Sequence, residues 1–472
     1  MGDNHEHIPL SRRDFLQKAT LGMGALSLAS LAGPSLFGGV PIQRGPHFVP
    51  RAKRIIYMNM IGAPSQVDLF DYKPLLQKRH GENLPSGILG DRIPATSATQ
   101  ATLPMVRSLE QFRQRGDSGM WMSDLLPYMS QVADELCMIN SVYTESVQHG
   151  PGQIFTHTGS EIPGRPTMGS WVSYGLGSMN DNLPNFIVLM TKGNEGGFSS
   201  LYSSGFLPSE YEGVPFRSGK DPVLFLTNPP GVTDDLRRSQ LDGLKKMQEA
   251  GMDHWNDPEF KAKMAQYEMA FRMQASVPEV MNVDDEPDYI YEMYGEDSKK
   301  PGTYAANCLL ARRLAERDVR YIQLYHGGWD HHGNLPVQLR RRCKEVDQAT
   351  AALIMDLKQR GMLEDTLIIW GGEFGRTCFS QGQLTEDNFG RDHHAEAFTV
   401  LMAGGGVKAG FTYGATDEFG YHIVENPVHV HDLNATILNI LGLDHEKLTY
   451  KYQGRRFRLT DVHGHVVKDI LA

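Results

Sequence analysis

The sequence predicts an α/β domain built on a doubly wound, mostly parallel sheet. Three observations predict it. Six short, continuously apolar runs recur along the chain, helical patterns separate them, and clusters of His, Asp, Glu and Arg fall beside the ends of those runs. Continuous apolar runs mark strands covered on both faces, as in parallel sheets, whereas one-sided strands alternate. Polar clusters at strand ends match the rule that α/β sheets hold their functional groups at the carboxyl edge.

Taken in order, the runs are "AKRIIYMNMIG" (52–62), "DELCMINSVYTE" (134–145), "NFIVLM" (185–190), "VRYIQLY" (319–325), "TLIIW" (366–370) and "AFTVLMAGGG" (397–406). Each is rich in β-branched or large apolar residues. Helices are expected over 303–318, 346–362, with Gly361 as its stop, and 431–443, with Asp432 near its start. Residues from about 194 to 300 differ in composition. A Gly/Ser/Pro-rich stretch leads into a polar helical segment at 233–276 and then the acidic "NVDDEPDYIYEMYGEDSKK". This reads as an insertion, or cap, over the sheet.

With 472 residues and a 40% hydrophobic content the chain can bury a sizeable core. The net charge of −10 argues against a general nucleic-acid binder, which needs a basic surface. Cys137, Cys308, Cys343 and Cys378 show no CxxC spacing, which argues against a zinc–cysteine module and a disulfide-dense scaffold and leaves room for one or two bridges. At the N-terminus, Arg12–Arg13 precede Phe15, Leu16 and a mildly apolar Gly/Ala/Ser/Leu run to about residue 40. This resembles a twin-arginine (Tat) export signal, so residues 1–40 are expected to engage the Tat machinery. The glycines and Pro34 make the run a poor membrane anchor. A periplasmic or secreted protein with no permanent anchor is expected.

The stretch "GGWDHHGN" (327–334) sets Trp329, Asp330, His331 and His332 side by side, with His326 just upstream. Flanking glycines argue against a helix interior, and the low apolar content argues against a core strand. Either it is a polar turn at a strand end, or it holds a metal or moves protons. Imidazole and carboxylate are the usual ligands of zinc, manganese and iron. His149 lies past the 134–145 run, Glu373 and Arg376 follow the 366–370 run, and Arg391, Asp392, His393 and His394 lie on a loop entering the last run.

The segments "AKRIIYMNMIGAPSQVDLFDYKP", "HGPGQIFTHTG", "GRPTMGSWVSYGLGS", "CLLARRLAERDVRYIQLYHGGWDHH", "GGEFGRT", "GRDHH" and "ATDEFGY" together resemble the DUF1501 family of exported bacterial proteins. The resemblance covers nearly all of residues 52–472 and implies a fold similar to the alkaline phosphatase and sulfatase superfamily. In that comparison Glu373 falls where sulfatases have a metal-binding Asp, and Phe374 where they have a metal-binding His. His149 takes the nucleophile position and Gln153 the place of the supporting Arg, so formylglycine chemistry is not expected. The phosphatase D-x-x-x-H spacing survives with its types exchanged in His326 and Asp330, and the final His matches His393 or His394.

The resemblance implies one divalent metal, zinc or manganese, held by His326, Asp330, His332, Glu373 and His393. His149 and Arg376 are the expected catalytic groups, the first as acid/base or phospho-acceptor, the second for anionic charge. His331, His394 and Arg391 are expected to contact substrate. The implied function is metal-dependent hydrolysis of a phosphate or sulfate ester, small-molecule or polysaccharide. The alternative is a non-catalytic binding protein of the cell envelope on a degenerate phosphatase fold.

Overall fold

The computed structural model describes residues 45–90, 94–191, 199–217, 222–224, 226–249 and 258–472. The expected export segment, residues 1–40, lies outside them, as does part of the expected insertion. The chain forms two compact units, one of Arg44–Tyr450 with Arg458–Ala472. Of the other, the described part is Lys451–Phe457, which turns at Gln453 and Gly454, both at positive φ. No helix among the described residues is long and apolar enough to cross a membrane.

The larger unit is mixed α/β around a nine-stranded, mostly parallel sheet. Its strands are β1 (Arg54–Met60), β2 (Leu136–Tyr143), β3 (Phe186–Met190), β4 (Val214–Phe216), β5 (Tyr321–His326) and β6 (Thr366–Gly371). A two-stranded ribbon follows, β7 (Gly375–Gln381) with β8 (Gly390–His394), and the sheet resumes with β9 (Phe398–Gly404), β10 (Phe411–Tyr413) and β11 (Val428–His429). The order is β10-β2-β9-β6-β1-β5-β3-β4, with β11 also on β2. β9 alone runs antiparallel to its two neighbours, and the remaining pairings in this sheet are parallel.

The six apolar runs of the sequence all form strands of this sheet. β1 is buried at every position, and alternate residues serve opposite faces. Ile56, Met58 and Met60 join a core with Leu324 and Ile368 from neighbouring strands. The same core takes in Leu314 of α5 (Tyr304–Glu316) and Leu353 of α6 (Leu335–Gln359). On the other face, Tyr57 meets His157 of α1 (His149–Thr158) edge to face at 5.4 Å, and Phe186 meets Tyr321 at 5.0 Å. α2 (Met168–Leu176) packs against β3 and β5 on this side. Two further helices, α3 (Asp234–Glu249) and α4 (Pro258–Met281), are tied by the Arg238–Glu268 ion pair. α7 (Val430–Ile440) starts at a capping box in which His429 accepts from a backbone N–H and Asp432 accepts from His429 N–H.

Two expectations differ from the structure. Residues 390–394 are a strand, not a loop, because their backbone pairs with β7 across a bulge at Arg391–His393. The helix expected from 346 begins at Leu335, where Pro336 suits the first turn and the arginine-rich turns before residue 346 face outward between buried Leu339 and Cys343.

The ribbon is pinned by charge. Arg391 of β8 and Asp68 are both fully buried and paired through two contacts, 2.7 and 3.0 Å. Arg391 also donates to the carbonyls of Val106, Arg107 and Thr377. Removing one partner of such a pair strands the other charge. Asp68→Ala is expected to cost about 3–5 kcal/mol, read from the denaturant midpoint. A loss under about 1 kcal/mol would contradict the assignment.

Candidate metal centre

Strand direction gathers the site. β1, β2, β5 and β6 end at one edge of the sheet, and antiparallel β9 begins there. The segments leaving or entering that edge carry His149, the 327–333 turn, Glu373 and the 390–394 strand. Two glycines let the turn seat closely. Gly62, at φ +108°, lies against the backbone of Trp329 and Asp330, where a Cβ would stand 2.5 Å from the Asp330 nitrogen. At Gly390 a Cβ would stand 2.0 Å from the carbonyl of His332. Trp329, fully buried, anchors the turn from beneath.

Four side chains converge above it. One ligand atom each from His149, Asp330, His332 and His393 lies within 4.8 Å of all the others. Oδ1 of Asp330 is 2.8 Å from Nε2 of His332, 3.1 Å from Nε2 of His149 and 3.4 Å from Nε2 of His393. Every imidazole is fixed from behind through Nδ1. His149 Nδ1 donates to Glu373 Oε1 at 2.6 Å, His393 Nδ1 donates to the Val147 carbonyl at 2.7 Å, and His332 Nδ1 donates to Gln381 Oε1. An acceptor at Nδ1 puts the proton there and leaves the Nε2 lone pair facing inward, the tautomer a metal requires.

Three such lone pairs and a carboxylate oxygen repel one another unless positive charge lies among them. Protons or a cation can supply it. Burial opposes protonation of His149, but Asp330 and Glu373 outweigh it and raise its pKa to about 9. The bond to Asp330 raises that of His332. Burial lowers that of His393. Asp330 stays far below the usual carboxylate range, because the three imidazoles and Arg376 outweigh its burial. The His149 Nε2–Asp330 contact is close but poorly aligned for a hydrogen bond, so Nε2 is buried without a partner. Tetrahedral bonds of about 2.0–2.2 Å put ligand atoms about 3.3–3.6 Å apart. The three oxygen–nitrogen separations come within about 0.5 Å of that range and no two ligand atoms lie more than 4.8 Å apart, so the residues fit a divalent ion once the imidazoles draw in around it.

The other expected site residues lie elsewhere. Glu373, fully buried, stands one layer behind, where Oε1 accepts from Gly62 N–H at 3.0 Å and orients His149. His326 is not brought into the group: as the last residue of β5 it falls on the α5–α6 face, beside Tyr304 and 3.4 Å from Glu345. Arg376 is buried and donates to the carbonyls of Gly62, Ala63 and Arg391 and, at 2.6 Å, to Asp330. It therefore holds a ligand rather than facing substrate. Arg391 is committed to Asp68, as described. His394 points away from the group, its Nε2 2.7 Å from the Tyr421 carbonyl. His331 is buried beside Trp329, with burial lowering its pKa to about 4. Gln381, the Val147 carbonyl, Gly62 and Gly390 escaped the sequence reading; only the glycine closing the first strand run and that opening "GRDHH" left a signal.

In metal-free protein, an NMR titration should find His149 still protonated at pH 8 and losing its proton near pH 9. Glu373→Gln removes one of the two carboxylates and should move that titration lower. A His149 titrating at or below about 6.5 in the native chain would contradict the geometry.

No curated protein matches the chain in sequence. Among solved structures, the PsFucS1 sulfatase from Pseudoalteromonas sp. is similar at 13% identity and a TM-score of 0.35, over 92% of this chain and 73% of that one. The lipoteichoic acid synthase LtaP from Listeria monocytogenes is similar at 9% identity and 0.38, over 92% and 80%. A protein in the alkaline phosphatase superfamily from Vibrio parahaemolyticus is similar at 11% identity and 0.35, over 88% and 73%. TM-scores this low fix neither activity nor substrate. The family model DUF1501, described as a protein of unknown function, matches residues 52–471, and the chain belongs to that family.

Proposed function

We propose that the protein is an exported hydrolase of phosphate or sulfate esters that works with one divalent metal, zinc or manganese. The observation that supports it is the convergence of three Nδ1-anchored imidazoles on one oxygen of Asp330. His149, His332, His393 and Asp330 would hold the ion. When bound, a divalent ion supplies Lewis-acid activation of an ester oxygen or of water. Arg376 keeps the Asp330 carboxylate ionised and aimed, and Glu373 keeps His149 in the ligating tautomer. The side chains of Asp330 and His332 are 41% and 32% exposed, so the group opens to solvent, and an ester oxygen or water would join the four protein groups as a fifth ligand. Position 149 is His and 153 is Gln, so hydrolysis of a sulfate ester would proceed without formylglycine.

The finer architecture belongs to the same proposal: a phosphatase-like, doubly wound core, the 194–300 segment as its cap, and residues 1–40 as a Tat signal. The partners would be a small-molecule or polysaccharide ester and the export machinery, with no nucleic acid and no permanent membrane anchor. One observation favours the second reading, a binding protein of the cell envelope. Arg376 and Arg391 spend their donors inside the protein, so neither is aimed outward at an anionic substrate.

Metal-reconstituted protein should hydrolyse p-nitrophenyl phosphate or p-nitrophenyl sulfate, and Asp330→Asn should lower turnover at least a hundredfold. Turnover that survives both chelation and Asp330→Asn would reject the metal reading. Absence of any turnover by protein carrying one ion per chain would favour the binding role. Replacing Arg12 and Arg13 with Lys should trap precursor in the cytoplasm, visible by fractionation. Undiminished export of that variant would exclude the Tat route.

A further inference from the structure

A second cavity opens at the far edge of the sheet, by the carboxyl end of β4. It encloses about 300 Å³, at the small end of ligand-sized cavities. Its walls are apolar, chiefly Phe216 from β4, Met281 from the end of α4, Val283, and Leu310 from α5. Positive charge breaks that apolar lining. Arg217 and Lys299 line it too, exposed, with no ion-pair partner among the described residues; the Lys299 ammonium rests 4.4 Å from the Tyr291 ring centroid. Gly302 and Ala306, at the N-terminus of the 13-residue helix α5, complete the lining.

Two cations and the positive end of a helix dipole favour an anion at the same place. The apolar walls then need an apolar body attached to that anion. We propose that this cavity binds a single-chain amphiphile with an anionic head, the chain against Phe216, Met281 and Leu310 and the head between Arg217 and Lys299. The volume restricts the chain to a short one, or to the first part of a longer one. The site shares no residue with the metal group and stands or falls independently of the hydrolase reading.

Calorimetric titration of the intact chain tests it, with octanoate and monooctyl phosphate as anionic probes and octanol as the neutral one. Saturable binding near one equivalent is expected for at least one anionic probe, and the tighter of the two identifies the head group. Octanol should bind at least tenfold more weakly. Arg217→Glu with Lys299→Glu, both on exposed positions, should weaken the anionic probe about tenfold or more without disturbing the core. No saturable binding of either anionic probe, octanol binding as tightly as they do, or unchanged affinity in the double Glu variant would overturn the proposal.

Discussion

One oxygen of Asp330 organises the candidate site. Oδ1 lies within 3.4 Å of three imidazole nitrogens and 2.6 Å from Arg376. So many nitrogens around one carboxylate oxygen demand cationic charge in a partly desolvated place, where opposite charges attract strongly. Without metal, a proton on His149 meets part of that demand, and Asp330 raises the pKa of His332 in the same sense. With metal, the ion would replace that proton, and binding would release it. The same residues therefore account for both the raised pKa of His149 and the ligand geometry.

The surrounding structure serves to aim these atoms. Each imidazole has its own acceptor, from a different part of the chain: a buried carboxylate after β6, a backbone carbonyl before α1, and an amide oxygen at the end of β7. Arg376 draws together the Gly62–Ala63 turn, the β8 backbone and Asp330. Asp68 and Arg391 hold the β7–β8 ribbon down beneath it. The cluster is thus fixed by long-range contacts between segments far apart in sequence, which parallel strands bring to one edge.

That division explains what the sequence disclosed. Strands announce themselves locally, so Ile55–Ile56 and Leu367–Ile368 were legible from apolar runs alone. The ribbon strand at 390–394 was not, because its buried residues are Arg, Asp and His, held by ion pairs instead of apolar packing. His149, Asp330, His332 and His393 stood out by residue type beside strand ends. His326 stood out for the same reason, yet strand parity turns it to the opposite face, and parity depends on where β5 ends. Arg391 looked like an anion binder, but its partner Asp68 lies 323 residues away in sequence. Gln381 and the Val147 carbonyl were invisible, since an acceptor for Nδ1 has no sequence signature.

The central claim is that these four side chains share one ion. Anomalous diffraction at the zinc edge, from crystals of zinc-reconstituted protein, tests it most directly. The account predicts one strong peak per chain, about 2.0–2.2 Å from Nε2 of His149, His332 and His393 and from an oxygen of Asp330. A stoichiometric peak elsewhere in the chain, or zinc-saturated crystals with no peak among these residues, would contradict it.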